Sequence, residues 1–326
     1  MKRTLWMWTL ALLAALTMVA AGCGDDEEEG GGGGGGEGGG GAPATQVIEK
    51  NPANASKSVT VGSKNFAEQY ILGNIYAQTL QAAGYNVKTE LDLGDEGVAY
   101  KALQAGEIDA YPEYTGTSLS SHLKVEVLDI PKDAQEAFDQ LVEKQAEKGV
   151  TPLPYTPFEN TYRLGMLKET YDRLGVKTMS ELKGKEADLS ITGFPECRQR
   201  PDCLIGVEKT YGLKFQKFVA ATDAYPLLDS KKADIGFVFS TDANLTTDKY
   251  AVLEDDKKLF PPYQVTLLFD SDKLEELGPD AQKAIENVQK GLTEEVMQEL
   301  NSRVALDKQK PEKVAADYLR EAGYVK

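Results

Sequence analysis

Two short stretches hold the residues of this 326-residue chain best equipped to grip a small molecule. Gly62-Ser63-Lys64-Asn65-Phe66-Ala67-Glu68-Gln69-Tyr70-Ile71-Leu72 reads as a strand ending in a polar turn that opens an amphipathic helix, with Lys64 in the turn. Tyr111-Pro112-Glu113-Tyr114-Thr115-Gly116-Thr117 sets two tyrosines, a proline and a Thr-Gly-Thr turn just past another strand. The face of a tyrosine attracts a diffuse positive charge, even one with no N–H to donate. Lysine, arginine and hydroxyl groups attract a carboxylate. Such a set binds; it does not catalyse. The single histidine, His122, lies in a Ser-Ser-His-Leu stretch with no visible partner and reads as a surface residue. No Ser/His/Asp set, nucleophile elbow or metal-ligand spacing appears, so no enzyme, metal or cofactor chemistry is expected. Paired carboxylates abound, but in a chain this acidic they carry no weight.

The N-terminus indicates where such binding would occur. Lys2-Arg3 precedes an apolar run from Leu5 to Ala21, which is the grammar of a signal peptide over residues 1–22. Val19-Ala20-Ala21-Gly22-Cys23 resembles the lipobox of bacterial lipoproteins, with Ala20 where leucine is usual, and this makes Cys23 a lipidation site. A plain secretory signal followed by a stray cysteine is the alternative. Residues 23–58 then form a tether: an acidic run from Asp25 to Glu29 and a glycine tract from Gly30 to Gly41, broken only by Glu37. Such a stretch cannot bury apolar surface. No later segment is apolar enough to span a bilayer. The expected location is extracytoplasmic, on the membrane through the lipid alone. Without Lys2 and Arg3 the basic residues number 36 − 2 = 34 against 52 acidic, a net charge near −18. That balance argues against nucleic acid as a partner. Both tryptophans, Trp6 and Trp8, lie in the leader, so any aromatic site must be built from Tyr or Phe. Cys197 and Cys203, in Cys-Arg-Gln-Arg-Pro-Asp-Cys, read as a disulfide closing a tight loop in an exported protein.

The elements that position these residues follow an α/β grammar. Val59-Thr60-Val61 alternates as a strand, and Ser63 or Asn65 can cap the helix that follows. In that helix Ile71, Leu72, Ile75, Tyr76 and Leu80 recur at helical spacing until Gly84; Tyr70, Tyr76 and Tyr111 are assigned to packing. A strand over 86–93, a helix over 95–105 and a strand over 108–111 complete a βαβα order, which implies a parallel sheet with helices on its faces. Tyr114 and Phe239 then fall at carboxyl ends of strands, where open α/β sheets bind ligands. Pro-rich passages at 151–157 and 259–263 read as two crossings between lobes, and the chain after them turns helical over 280–306 and 311–323. The domains expected are lobe I at 59–158, lobe II at 159–263 and a return to lobe I at 264–326.

With these motifs in their order, the folded part from Val59 onward closely resembles the substrate-binding proteins of ABC importers for quaternary amines such as glycine betaine, choline and carnitine. The resemblance implies an α/β, two-lobe fold of the periplasmic-binding-protein type (type II), hinged around a ligand cleft. It implies a monomer that captures a quaternary ammonium osmolyte and hands it to permease and ATPase subunits. Lys64 matches the lysine of the family's Gly-Ser-Lys-x-Phe turn, Thr117 the second threonine of its Tyr-Thr-Gly-Thr, and Arg200 an arginine before Pro-Asp. In the family these face the ligand carboxylate. The cage for the cation would be Tyr114, Tyr162 in Thr-Tyr-x-Leu, Phe239 before Ser-Thr-Asp, and Tyr263 after Pro-Pro. Phe239 stands where the family often has Tyr. The arginine loop, usually Arg-Pro-Asp-Gly, ends here in Cys203. Each residue alone has a blander reading: half-buried core tyrosine, core phenylalanine, or surface ion-pair partner for Arg200. Within the same fold, an amino acid is the alternative ligand.

Overall fold

A computed structural model describes residues 46–326. The leader, Cys23 and most of the tether lie outside the described residues. Packing begins ahead of Val59: Ile48 N–H donates to Tyr324 O at 2.8 Å and Asn51 N–H to Ala83 O at 3.1 Å. Pro52–Ser56 forms a 3-10 turn capped by Asn51. The buried Asn54 side chain donates to Ala83 O, satisfying a carbonyl at a helix end. Composition, which weighs apolar residues, does not register that anchor.

Lobe I opens with β1 (Ser58–Gly62), α1 (Ala67–Ala82), β2 (Asn86–Glu90), α2 (Glu96–Gln104), β3 (Ala110–Tyr114), the single turn α3 (Thr115–Thr117), α4 (Ala134–Ala146) and β4 (Val150–Pro152). Lobe II holds β5 (Tyr162–Leu167), α5 (Lys168–Leu174), β6 (Ser190–Gly193), α6 (Leu204–Tyr211), β7 (Lys217–Ala220), α7 (Tyr225–Asp229), β8 (Ile235–Phe239) and β9 (Tyr250–Leu253). The chain returns through β10 (Val265–Asp270), α8 (Ser271–Leu277), α9 (Pro279–Gln289), α10 (Glu294–Ala305) and α11 (Pro311–Glu321). Each lobe is built on a five-stranded sheet, ordered β2-β1-β3-β10-β4 and β7-β6-β8-β5-β9. In the first, β1 pairs parallel with β2 and β3, while β10 runs antiparallel between β3 and β4. The α/β two-lobe architecture is therefore present. No helix among the described residues is long and apolar enough to cross a membrane.

The core of lobe I explains why α1 is buried nearly all round, polar residues such as Gln69 and Thr79 included. Ile71, Leu72, Ile75, Tyr76 and Leu80 are buried together with residues from β1, β10, α9, α10 and α11. A helix sandwiched between a sheet and other helices has no wet face. Lobe II has its own core around Leu164, Ile191, Val207 and Ile235.

Several elements depart from the sequence reading for physical reasons. β3 covers residues 110–114 rather than 108–111, so Tyr111 to Tyr114 are the strand itself. The cause is β10, which pairs Phe269 with Ala110 and Val265 with Tyr114 from far along the chain. β2 stops at Glu90. The helical stretch 280–306 is two helices broken at Gly291-Leu292-Thr293, with Thr293 capping α10. A Cβ on Gly291 would lie 2.3 Å from Tyr324 Oη, so close packing requires the glycine. Neither Ser63 nor Asn65 caps α1: the N-cap is Phe66, with no side-chain cap bond. The Ser63 hydroxyl is occupied by Lys64 O and by Asp92 N–H. Gln69 Oε1 reaches back instead to accept from Lys64 N–H at 3.2 Å.

Candidate functional site

The ends of β1 and β3 and the two crossings meet at a cleft of about 270 Å³. Six of the seven residues singled out for ligand contact line it: Lys64, Tyr114 and Thr117 from lobe I, Tyr162 and Arg200 from lobe II, and Tyr263 from the second crossing. Two larger hollows, about 570 and 590 Å³, lie along α1 and α11 and are lined mainly by side chains such as Gln78, Gln81, Lys310 and Glu312. The smaller cleft is the candidate because three tyrosine rings converge there with Lys64 and Arg200.

Lobe I supplies a wall whose one lysine is already paired. Lys64 forms an ion pair with Glu113, whose side chain is 0% exposed. The Lys64 ammonium also lies 4.5 Å from the centroid of the Tyr114 ring and 5.8 Å from that of Phe66. Glu113 accepts further hydrogen bonds from Tyr114 N–H (2.8 Å) and Tyr111 Oη (3.0 Å). Burial pushes its carboxyl up, but the Lys64 charge and the hydrogen bonds from His122 and Lys64 outweigh it and hold it down at about 2. His122 is thus no surface residue without a partner. Its side chain is 3% exposed, its Nε2 lies 3.1 Å from Glu113 Oε2, and its ring stacks on Tyr100 at 4.1 Å. The local sequence is polar, but the π-helical turn Ser118–His122 swings the ring under β3. Tyr111 packs, as expected, and also donates to Glu113.

Behind the Tyr114 ring sits a second buried carboxylate, Glu68, 4% exposed, on the first turn of α1. It accepts from Tyr114 Oη at 2.7 Å, Asn160 Nδ2 at 2.9 Å and Asn301 Nδ2 at 2.8 Å. Asn301 of α10 donates in addition to Thr241 O of lobe II at 2.9 Å. Burial, reinforced by the Glu68 charge, raises the Tyr114 phenol, so its proton stays on the tyrosine.

Lobe II supplies rings and one arginine. Tyr162 opens β5 directly opposite Phe239 on β8. Phe239 does not line the cleft; it stacks on Tyr162, centroids 5.0 Å apart. Phe237 and Phe260 pack around the same ring at 6.0 and 5.7 Å. Arg200, 47% exposed, makes a two-pronged pair with the buried Asp202 through Nε (2.8 Å) and Nη2 (2.5 Å). Asp202 also accepts from Tyr263 Oη at 3.1 Å. The Arg200 loop is closed by the Cys197–Cys203 disulfide, both cysteines fully buried. Thr117 stands on the helical turn after β3. Gly116 in that turn has no room for a side chain: a Cβ would lie 2.7 Å from Pro262 O and 2.9 Å from the Tyr263 ring. The turn and the second crossing are pressed together at the mouth of the cleft.

Glu68, Asn160, Asp202 and Phe66 were not singled out from sequence as site residues, although all four touch the site or its walls. The signal for Glu68 and Phe66 was their place in the Lys64 turn, and for Asp202 its place two residues after Arg200. No group of metal-ligating side chains occurs among the described residues.

Residues 57–321 match the OpuAC family, described as the substrate binding domain of ABC-type glycine betaine transport systems. The chain is 33% identical over 279 residues to a glycine-betaine-binding protein of Pseudomonas aeruginosa, an alignment covering 82% of this chain and 88% of that one. It is 30% identical over 279 residues to the ergothioneine transport permease/ergothioneine binding protein EgtU of Helicobacter pylori, covering 83% of this chain and 49% of that one. Among solved structures, that of a glycine betaine/carnitine/choline ABC transporter shares its fold with a TM-score of 0.75 at 24% identity, over 82% of this chain and 99% of the other.

Proposed function

Because the chain belongs to the OpuAC family, the substrate-binding domains of ABC-type glycine betaine transport systems, we propose that its cleft captures glycine betaine or a related quaternary ammonium osmolyte for an ABC permease. The observation that carries the reading is the convergence of Tyr114, Tyr162 and Tyr263 with Lys64, Thr117 and Arg200 in one cleft. A quaternary ammonium cannot donate a hydrogen bond, so ring faces must hold it, each contributing ~0.5–2 kcal/mol once desolvated. Phe239 serves as the backing ring that holds Tyr162 in place. The carboxylate end is met by Thr117 and by the outward edge of Arg200, whose Nη1 makes no hydrogen bond with a described residue. Choline, which lacks a carboxylate, would leave that end unused. An amino acid brings a primary ammonium, which asks for carboxylate acceptors rather than ring faces.

Delivery requires the permease and ATPase subunits with which such substrate-binding proteins work. The proposal includes a monomer, cleaved after residue 22 and tethered through lipid on Cys23, with the two lobes closing on the solute. Calorimetric titration with glycine betaine, carnitine, choline, ergothioneine and a basic amino acid tests the ligand. Replacing Tyr114 or Tyr162 with Ala should remove about 1–2 kcal/mol or more of betaine binding. Unchanged affinity in both folded variants overturns the cage. Soluble protein in the wild type, rather than membrane-bound protein released by Cys23→Ser, overturns the anchor.

A further inference from the structure

Asp95 and Glu96 line the cleft where water reaches them, and the charges buried around it do not balance. Lys64 is paired with Glu113, and Arg200 with Asp202. Glu68 is buried to the same degree as Lys64 yet forms no ion pair with any described residue; its three partners are a phenol and two amides. Two of those donors, Tyr114 and Asn160, line the cleft. Glu68 is therefore one side chain behind the wall, a carboxyl group held by neutral hydrogen bonds and with no cationic partner among the described residues.

Buried anions are costly unless a cation is near, and the cost is felt by neighbouring groups. Its neighbours show the effect: after burial itself, the Glu68 charge is the leading influence raising the Tyr114 phenol, and it also contributes to raising Asp242. The Tyr114 hydroxyl donates to Glu68, which pushes electron density toward the ring. That ring already carries one cation, the Lys64 ammonium, 4.5 Å from its centroid.

We propose that Glu68 is a specificity-determining residue of this cleft: acting through the Tyr114 hydroxyl, it supplies the negative charge that the bound quaternary ammonium neutralises. The inference rests on the quaternary ammonium reading of the site. Glu68 touches no solute itself. It selects for the charge of the solute head group rather than for its size, whereas the rings select for both.

That distinction gives the test. Glycine betaine and 3,3-dimethylbutanoate share a shape and a carboxylate, but the second has carbon in place of the charged nitrogen. Both are titrated into the mature protein and its variants by calorimetry. Glu68→Gln keeps an acceptor for the tyrosine and amides and removes the charge. It should weaken betaine about tenfold or more and change the neutral-headed isostere less than twofold, collapsing the ratio of their affinities. Tyr114→Phe keeps the ring, cuts the link to Glu68 and covers the case in which Glu68→Gln does not fold; it should lower the same ratio severalfold. Equal losses for both solutes in either folded variant would mean that Glu68 only braces the wall, and the inference falls. No change in the ratio overturns it as well. If the wild type binds no quaternary ammonium compound, the proposed function itself fails and takes this inference with it.

Discussion

Replacing Glu113 with Gln removes one charge from the most enclosed ion pair beside the cleft. Its size follows from two independent arguments. The Glu113 carboxyl is held at about 2 against an ordinary value of 4.5, and at 1.36 kcal/mol per unit that corresponds to about 3 kcal/mol. Breaking a buried pair by removing one partner costs about 3–5 kcal/mol, because the other charge is left stranded; here that is Lys64, its side chain 5% exposed. The folded-state value is depressed, so this stability is present above pH 4.5 and is lost as pH falls through about 2. Urea unfolding at pH 7 should therefore show Glu113→Gln less stable by about 3 kcal/mol. The double variant Lys64→Met with Glu113→Gln should lose less than the two single losses added, by 2 kcal/mol or so, since no charge is stranded in it. A single loss under about 1 kcal/mol, or strictly additive losses, would refute the pair as a stabilising unit.

Arg200→Ala should weaken betaine by about 1.5–3 kcal/mol and choline far less, because a charge-assisted bond to the carboxylate is lost; equal effects on both solutes would remove Arg200 from the site. Cys197→Ala with Cys203→Ala opens a loop with a sequence separation of six and should lower stability by about 2 kcal/mol on the loop-entropy account, read from urea midpoints with and without reductant. Burial lifts the Asp242 carboxyl to about 6 from 3.8. A raised acid favours the folded state while protonated, so its contribution falls as pH rises between about 4 and 6. The stability difference between wild type and Asp242→Asn should shift across that window by up to about 3 kcal/mol, and a flat difference contradicts the assignment.

The architecture was legible because it depends on local grammar. Strand, turn and helix alternate from Val59 to Tyr111 with the glycines in register, and the matched motifs extend that pattern to both lobes. What failed depended on partners far along the chain. The true limits of β3 are set by β10, some 150 residues later, so no window around Tyr111 could find them. His122 looked solvated because its neighbours are serines; its partners, Tyr100 and Glu113, reach it only through the fold. Phe239 carries a family motif, yet it packs against Tyr162 instead of lining the cleft. Glu68 lies within the Lys64 motif, yet in a chain with 52 acidic residues no single carboxylate stands out until its burial is known.

The insertion of β10 between β3 and β4 governs the order in which the molecule can be assembled. Lobe II is a continuous stretch from Tyr162 to Leu253, and its sheet can close as soon as those residues leave the ribosome. Lobe I cannot. Its sheet lacks an inner strand, and α1 lacks the cover of α9, α10 and α11, until the end of the chain has been made. Contacts of such long sequence separation form late and slowly. Until then Tyr114 has no antiparallel neighbour, and Glu68 has no Asn301 to hold it. The cleft is thus complete only after β10 and Asn301 have been made, although Lys64 is among the first of its residues to be synthesised.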